Sequence, residues 1–132
     1  MHQVAMQALE TLRNHGYTLC ILTQNIIEFR VVATRPVAVN GLGMSQQDVD
    51  TEIERLKFLY RVFPDTSEIF EEWARLVTLY GAEGKQNHDA RIAAAMNIHK
   101  ISAILTFNKS DFIRYPNLSV WEPEDLLNAS PL

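Results

Sequence analysis

Four side chains of this 132-residue chain place oxygen atoms where open α/β sheets build their sites: Glu28, Asp89, Asn108 and Asp111. Asp89 follows Asn87-His88 at the start of a helical pattern that runs on through Ala90-Arg91-Ile92. Asn108 and Asp111 follow the apolar run Ile104-Leu105-Thr106-Phe107, and Glu28 lies one turn beyond the apolar run that ends at Thr23. Helix N-termini and the carboxyl ends of buried strands are the places where such folds hold ligands. Hard cations such as Mg²⁺ and Mn²⁺ take oxygen ligands, often one or two carboxylates with waters and a substrate phosphate. The chemistry this pattern points to is therefore metal-assisted phosphate chemistry. Each residue also has a plainer reading: Glu28 shares a helical stripe with Gln24 and Arg35, Asp89 suits the helix dipole, Asp111 could cap a turn, and Asn108 could satisfy a loop backbone.

Other chemistries are poorly served. The four histidines (His2, His15, His88 and His99) are dispersed and show no zinc spacing with the single cysteine. Asn40-Gly41-Leu42-Gly43 does not sit between a buried strand and a helix, as a phosphate-cradling glycine motif must.

The elements that must position these residues follow from periodicity. Val4, Ala5, Ala8, Leu9 and Leu12 recur at helical spacing up to Gly16, a left-handed cap. Thr18–Thr23 reads as a strand buried on both faces, followed by a helix from Gln24-Asn25 to Arg35-Pro36. Ser45 with Asp48 opens a helix through Leu56 and Tyr60. A second helix, from Ile69 to the stop at Gly81, pairs with it as a hairpin. Large groups on that pair, among them Phe58, Tyr60, Phe63 and Trp73, exceed what one core needs and predict either a homodimer or antitoxin-like interface or an internal aromatic cluster. A helix from Asn87 to His99-Lys100 follows, then a buried strand at Ile101–Phe107, a helical turn at Asp111–Tyr115, a strand at Leu118–Trp121, and a final helix with Pro123 at its first position.

Length and composition fit one soluble domain spanning residues 1–132: 47% of residues are hydrophobic and 21% charged. No apolar run approaches a membrane span and no leader pattern opens the chain, so a cytoplasmic protein is expected. Cys20, the only cysteine, reads as core filler in a reducing compartment. The net charge of −4 gives no general attraction to nucleic acid, yet a metal site draws phosphate locally whatever the overall charge.

Three stretches together resemble the PIN-domain ribonucleases, a family that includes the toxins of VapBC-type toxin–antitoxin pairs. They are Gln24-Asn25-Ile26-Ile27-Glu28-Phe29 with Ala33-Thr34-Arg35-Pro36, His88-Asp89-Ala90-Arg91-Ile92-Ala93-Ala94, and Leu105-Thr106-Phe107-Asn108-Lys109-Ser110-Asp111-Phe112. The resemblance implies an α/β/α three-layer fold with a mostly parallel central sheet, and Mg²⁺- or Mn²⁺-dependent hydrolysis of RNA. It makes Glu28, Asp89 and Asp111 the catalytic and metal-binding acids, puts Asn108 at the post-strand position that usually holds an acid, and gives Thr106 the orienting hydroxyl. Arg35, Lys85, Arg91 and Lys109 are the basic residues available for phosphate contact. Implied partners are RNA, an antitoxin protein and a second copy of the chain, but no membrane. Compared with the family, the chain lacks the opening strand and the first catalytic aspartate at its end, so impaired cleavage is expected. The alternatives are a non-catalytic PIN-like module that binds RNA or protein, and an ordinary α/β fold whose acids are caps.

Overall fold

A computed structural model of the chain describes residues 2–128. It is mixed α/β with short parallel strands, and the described residues divide into two compact units, residues 18–64 and residues 2–17 with 65–128.

The unit of residues 18–64 is built on strand β1 (Cys20–Leu22) and strand β2 (Arg61–Phe63), paired in parallel with Cys20 opposite Arg61 and Leu22 opposite Phe63. Helix α2 (Thr23–Thr34) follows β1 directly and stops before Arg35-Pro36, because the residue before a proline is pushed to extended backbone; Arg35 has ψ 139°. Helix α3 (Gln46–Leu59) starts where Ser45 accepts the Asp48 N–H at 3.1 Å, a side-chain cap that contributes about 1 kcal/mol. Val49 and Ala33 are fully buried and Leu22 nearly so, and Arg30 of α2 pairs with Asp50 of α3 at 2.6 Å. Between the helices, a loop containing a 3₁₀ turn at Val37–Val39 is stitched back to the end of α2: Gly43 N–H donates to Arg35 O and Met44 N–H to Ala33 O. Gly41 lies against Arg35 so closely that a Cβ would stand 1.9 Å from the Arg35 carbonyl oxygen. Only glycine fits there.

The other unit is helical around α5 (Gln86–Ile98), which buries Asp89, Ala90 and every residue from Ile92 to Met96. Four alanines on that helix let α4 (Ser67–Tyr80) approach closely, with Ile69 and Leu76 as its buried residues. Burying each of those two side chains stabilises the unit by roughly 1.5–3 kcal/mol. Gly81 ends α4 at φ 62°, the left-handed cap that its position past an apolar stripe predicts. Helix α1 (His2–Asn14) packs against α6 (Pro123–Asn128), and strand β3 (Ala103–Leu105) pairs in parallel with β4 (Ser119–Trp121). Phe112, Tyr115 and Leu118 fill the core beneath the β3–β4 connection, and Tyr115 meets Tyr80 edge to face at 5.2 Å.

Two expectations are revised. The strands are shorter and less buried than their apolar runs predict, because a two-stranded sheet leaves one edge of every strand without a neighbour in its own sheet; Ala103 is exposed and Cys20 and Ile21 are half-buried. Residues 61–63 form a strand where helix and turn were expected. That strand separates α3 from α4 in sequence; within their own units α3 packs on α2 and α4 on α5. Of the large groups on these helices, Phe58 is 88% exposed and Phe70 64%, whereas Tyr60, Phe63 and Trp73 are half-buried. Among the described residues no helix is long and apolar enough to cross a membrane.

Candidate metal centre

The loop between Gly81 and α5 sets the first carboxylate. Gly84 takes φ 55°, Gln86 Oε1 accepts the Glu83 N–H at 3.0 Å, and the Trp73 indole donates to Asn87 O at 2.8 Å, anchoring the first turn of α5 against α4. Asp89 lies in that turn, 8% exposed, where the helix dipole favours a negative charge. The second carboxylate comes from the elbow after β3. Thr106 receives its sheet bond by donating N–H to Trp121 O at 2.9 Å, and its Oγ1 accepts the Asn108 N–H at 3.1 Å. Asn108 O in turn accepts the Asp111 N–H at 3.0 Å, which closes the 3₁₀ turn Lys109–Asp111. Thr106 thus orients the elbow that carries Asn108 and Asp111.

The two carboxylates converge on one cation. Lys85 Nζ stands 3.4 and 3.2 Å from the two oxygens of Asp89 and 3.4 Å from Asp111 Oδ2. Partial burial works against the Lys85 charge, but the hydrogen bonds and charge of Asp89, and then of Asp111, outweigh it and hold the ammonium above its ordinary pKa. Hard divalent ions are held by carboxylate oxygens together with waters; here the Lys85 ammonium occupies the point between the two carboxylates. Among the described residues, no three His, Cys, Asp or Glu side chains stand close enough to share one metal ion.

The remaining predicted residues are placed as follows. Glu28 is exposed on α2 in the 18–64 unit, where its Oε2 accepts a hydrogen bond from the buried Gln24 at 3.2 Å. The i, i+4 spacing of Gln24 and Glu28 is the signal that could have found this bond. Arg35, half-buried at the end of α2, uses its carbonyl to close the 35–43 loop. Arg91 pairs with Asp65 at 3.2 Å, and Lys109 reaches Asp125 at 3.8 Å while its N–H points to Glu122 at 3.5 Å. The acids opposite these basic residues were not legible, because each comes from a different element. A cleft of about 400 Å³, lined by Glu72, Arg75, Asn97, Lys100, Ser102 and Asn117 among others, contains none of the site residues.

No known protein-family model and no curated protein matches this chain.

Proposed function

We propose that this chain is a divalent-metal-dependent ribonuclease of PIN-like, three-layer α/β/α architecture. The observation that carries the reading is the convergence of Asp89 and Asp111, from a helix start and a post-strand elbow, on one cationic point. The donors are hard oxygens and include a nearly buried carboxylate, so they fit Mg²⁺ or Mn²⁺ rather than a softer ion. Asp89 and Asp111 would hold the ion, with Asn108 on the same elbow; Glu28, which the family resemblance adds to the acidic set, belongs to the 18–64 unit. A divalent ion bound there supplies an activated water and neutralises charge on the scissile phosphodiester. The chain's own contribution is positional: α5 fixes Asp89, and the Thr106–Asn108–Asp111 turn fixes the second carboxylate. Lys85, Arg35, Arg91 and Lys109 are the phosphate contacts of this reading, and a toxin of this kind is held in check by an antitoxin protein.

A second reading, a PIN-like module that binds RNA or protein without cutting, is favoured by the lack of a third acid beside the Asp89–Asp111 pair among the described residues. One experiment separates the two. Incubated with a fluorophore-quencher RNA and millimolar Mn²⁺, the protein is expected to cleave it, and EDTA or Asp89→Asn is expected to stop the cleavage. Retarded but intact RNA would establish the binding module instead, and neither cleavage nor retardation across a panel of RNAs would remove both.

A further inference from the structure

Asn40 and Gly41 fill positions that few other residues could take. Asn40 ends the 3₁₀ turn in left-handed backbone, φ 64° and ψ 32°, a conformation that asparagine visits more readily than most side chains. Gly41 stands against the Arg35 carbonyl where a Cβ has no room. The geometry of the 35–44 loop thus selects an asparagine followed by a glycine, and Asn40 is the one asparagine of the chain with glycine after it. That dipeptide has a chemistry of its own. With no side chain on the following residue, the backbone nitrogen reaches the asparagine amide carbon unhindered. Asn40 is exposed and its side-chain amide has no hydrogen-bond partner among the described residues, so no contact holds the amide away from that nitrogen.

We propose that Asn40 is a site of spontaneous deamidation, gated by opening of the 35–44 loop. Gly41 N gives up its proton and bonds to Asn40 Cγ; the Cγ–Nδ2 bond breaks, and the amide group departs as ammonia, carrying that proton. Water then cleaves one of two bonds to the same nitrogen. Cleavage at Cγ leaves aspartate, and cleavage at the Asn40 backbone carbonyl leaves isoaspartate, with the chain running on through Cγ. The closed loop opposes the first step in two ways. Ring closure needs Gly41 N on the same side of the Cα–C bond as Cβ, and ψ of 32° turns the two nearly opposite. The Gly41 N–H is also donated to Pro36 O at 3.0 Å, and the Asn40 N–H to Val37 O at 3.3 Å. Both bonds must be released before the nitrogen can turn toward Cγ, so the reaction waits on local opening. The products do not reclose alike: isoaspartate adds a carbon to a backbone whose length is fixed by the bonds of Leu42, Gly43 and Met44 to Val32, Arg35 and Ala33, and aspartate adds a negative charge. Because the change runs one way, the loop accumulates a record of its own openings. This inference is independent of the metal-site reading, since Asp89 and Asp111 belong to the other unit.

The test is peptide mapping of the 132-residue protein held in mildly alkaline buffer, once folded and once in urea. Mass spectrometry of the tryptic peptide carrying Asn40 reads the conversion of amide to acid, and chromatography separates aspartate from isoaspartate. In urea, Asn40 should convert faster than every other asparagine of the chain. In the folded protein, the two backbone bonds that must open should slow it roughly five- to a hundredfold. Gly43→Ala strains left-handed backbone at φ 61° beside the Val37 side chain and keeps the Asn40-Gly41 pair, so it should restore the folded rate several-fold. Hydrogen exchange on the isolated isoaspartyl form should find the Gly43 and Met44 N–H groups unprotected, whereas the fresh protein protects both. Equal rates folded and in urea would overturn the gating, and conversion in urea no faster at Asn40 than at the other asparagines would overturn the site. A folded Gly43→Ala chain that converts no faster than the unaltered one would overturn the role of the loop. If Gly43→Ala does not fold, urea below the unfolding transition takes its place: acceleration there supports the gating, and a flat rate overturns it.

Discussion

Asp89→Asn removes one charge from the site without changing its shape, and two opposing effects decide what happens to stability without metal. The lost attraction to Lys85 acts over 3.2 Å. The relieved repulsion from Asp111 acts over a longer distance, since oxygens served by different protons of one ammonium stand about 5 Å apart. At any single dielectric the repulsion is then about 0.6 of the attraction, so the pair loses on balance. An ion pair with a partner as exposed as Lys85 contributes about 0.2–1 kcal/mol, of which less than half survives this offset. The helix dipole adds about 0.3–1 kcal/mol for a carboxylate in the first turn of α5. The expected loss is about 0.5–1.5 kcal/mol, a fall of roughly 0.5 M in the urea midpoint for a protein of this size. Urea denaturation in EDTA at pH 7 measures it, and 0.5 M NaCl should shrink the difference. A midpoint equal to or above that of the unaltered chain would show that the acids repel more than Lys85 compensates and would refute this reasoning.

Two further outcomes concern groups outside the carboxylate pair. The Tyr115 hydroxyl is buried and has no hydrogen-bond partner among the described residues, so Tyr115→Phe should leave stability at pH 7 unchanged or raise it. Burial first, and then Asp89 and Tyr80 against the pull of Arg114, raise the Tyr115 pKa above its ordinary 10.0. The unfolded chain loses that proton first, so stability is level below pH 10, falls as pH climbs through the raised value, and should lose this slope in Tyr115→Phe. Glu72 is held below its ordinary 4.5 by the Arg75 side chain, with partial burial opposing and Asn97 assisting. Its contribution is complete above 4.5 and disappears as pH falls through the lowered value, so acid titration of Glu72→Gln should show a shallower decline than the unaltered chain.

Local signals carried most of the fold that was legible. Ser45, Gly81, Pro36 and Pro123 mark helix boundaries because capping, left-handed backbone and proline geometry depend on a few adjacent residues. Strand β2 was hidden because Arg61-Val62-Phe63 is too short to show a period of two and follows α3 with a single residue between. On α2, apolar residues lie all round the helix, so the pattern fixed its existence but not its face: Gln24 is buried while Ile27 and Val31 are 55% exposed. At the site, the positions of Asp89 and Asp111 could be read from their element ends. The lysine that joins them could not, because its side chain reaches Asp111 across 26 residues of sequence.

The parallel pairing of β1 with β2 also bears on how the chain emerges during synthesis. Those strands lie at the two ends of residues 18–64, so both strands of that sheet are present as soon as Phe63 has been made. The other unit is interrupted in sequence: α1 is made before the inner segment, and α6, against which it packs, after it. Ala8 and Leu12, buried in the finished molecule, therefore wait through the synthesis of more than a hundred residues for the helix that helps cover them. Vectorial folding favours the inner segment, while α1 stays without α6 until that segment has been made.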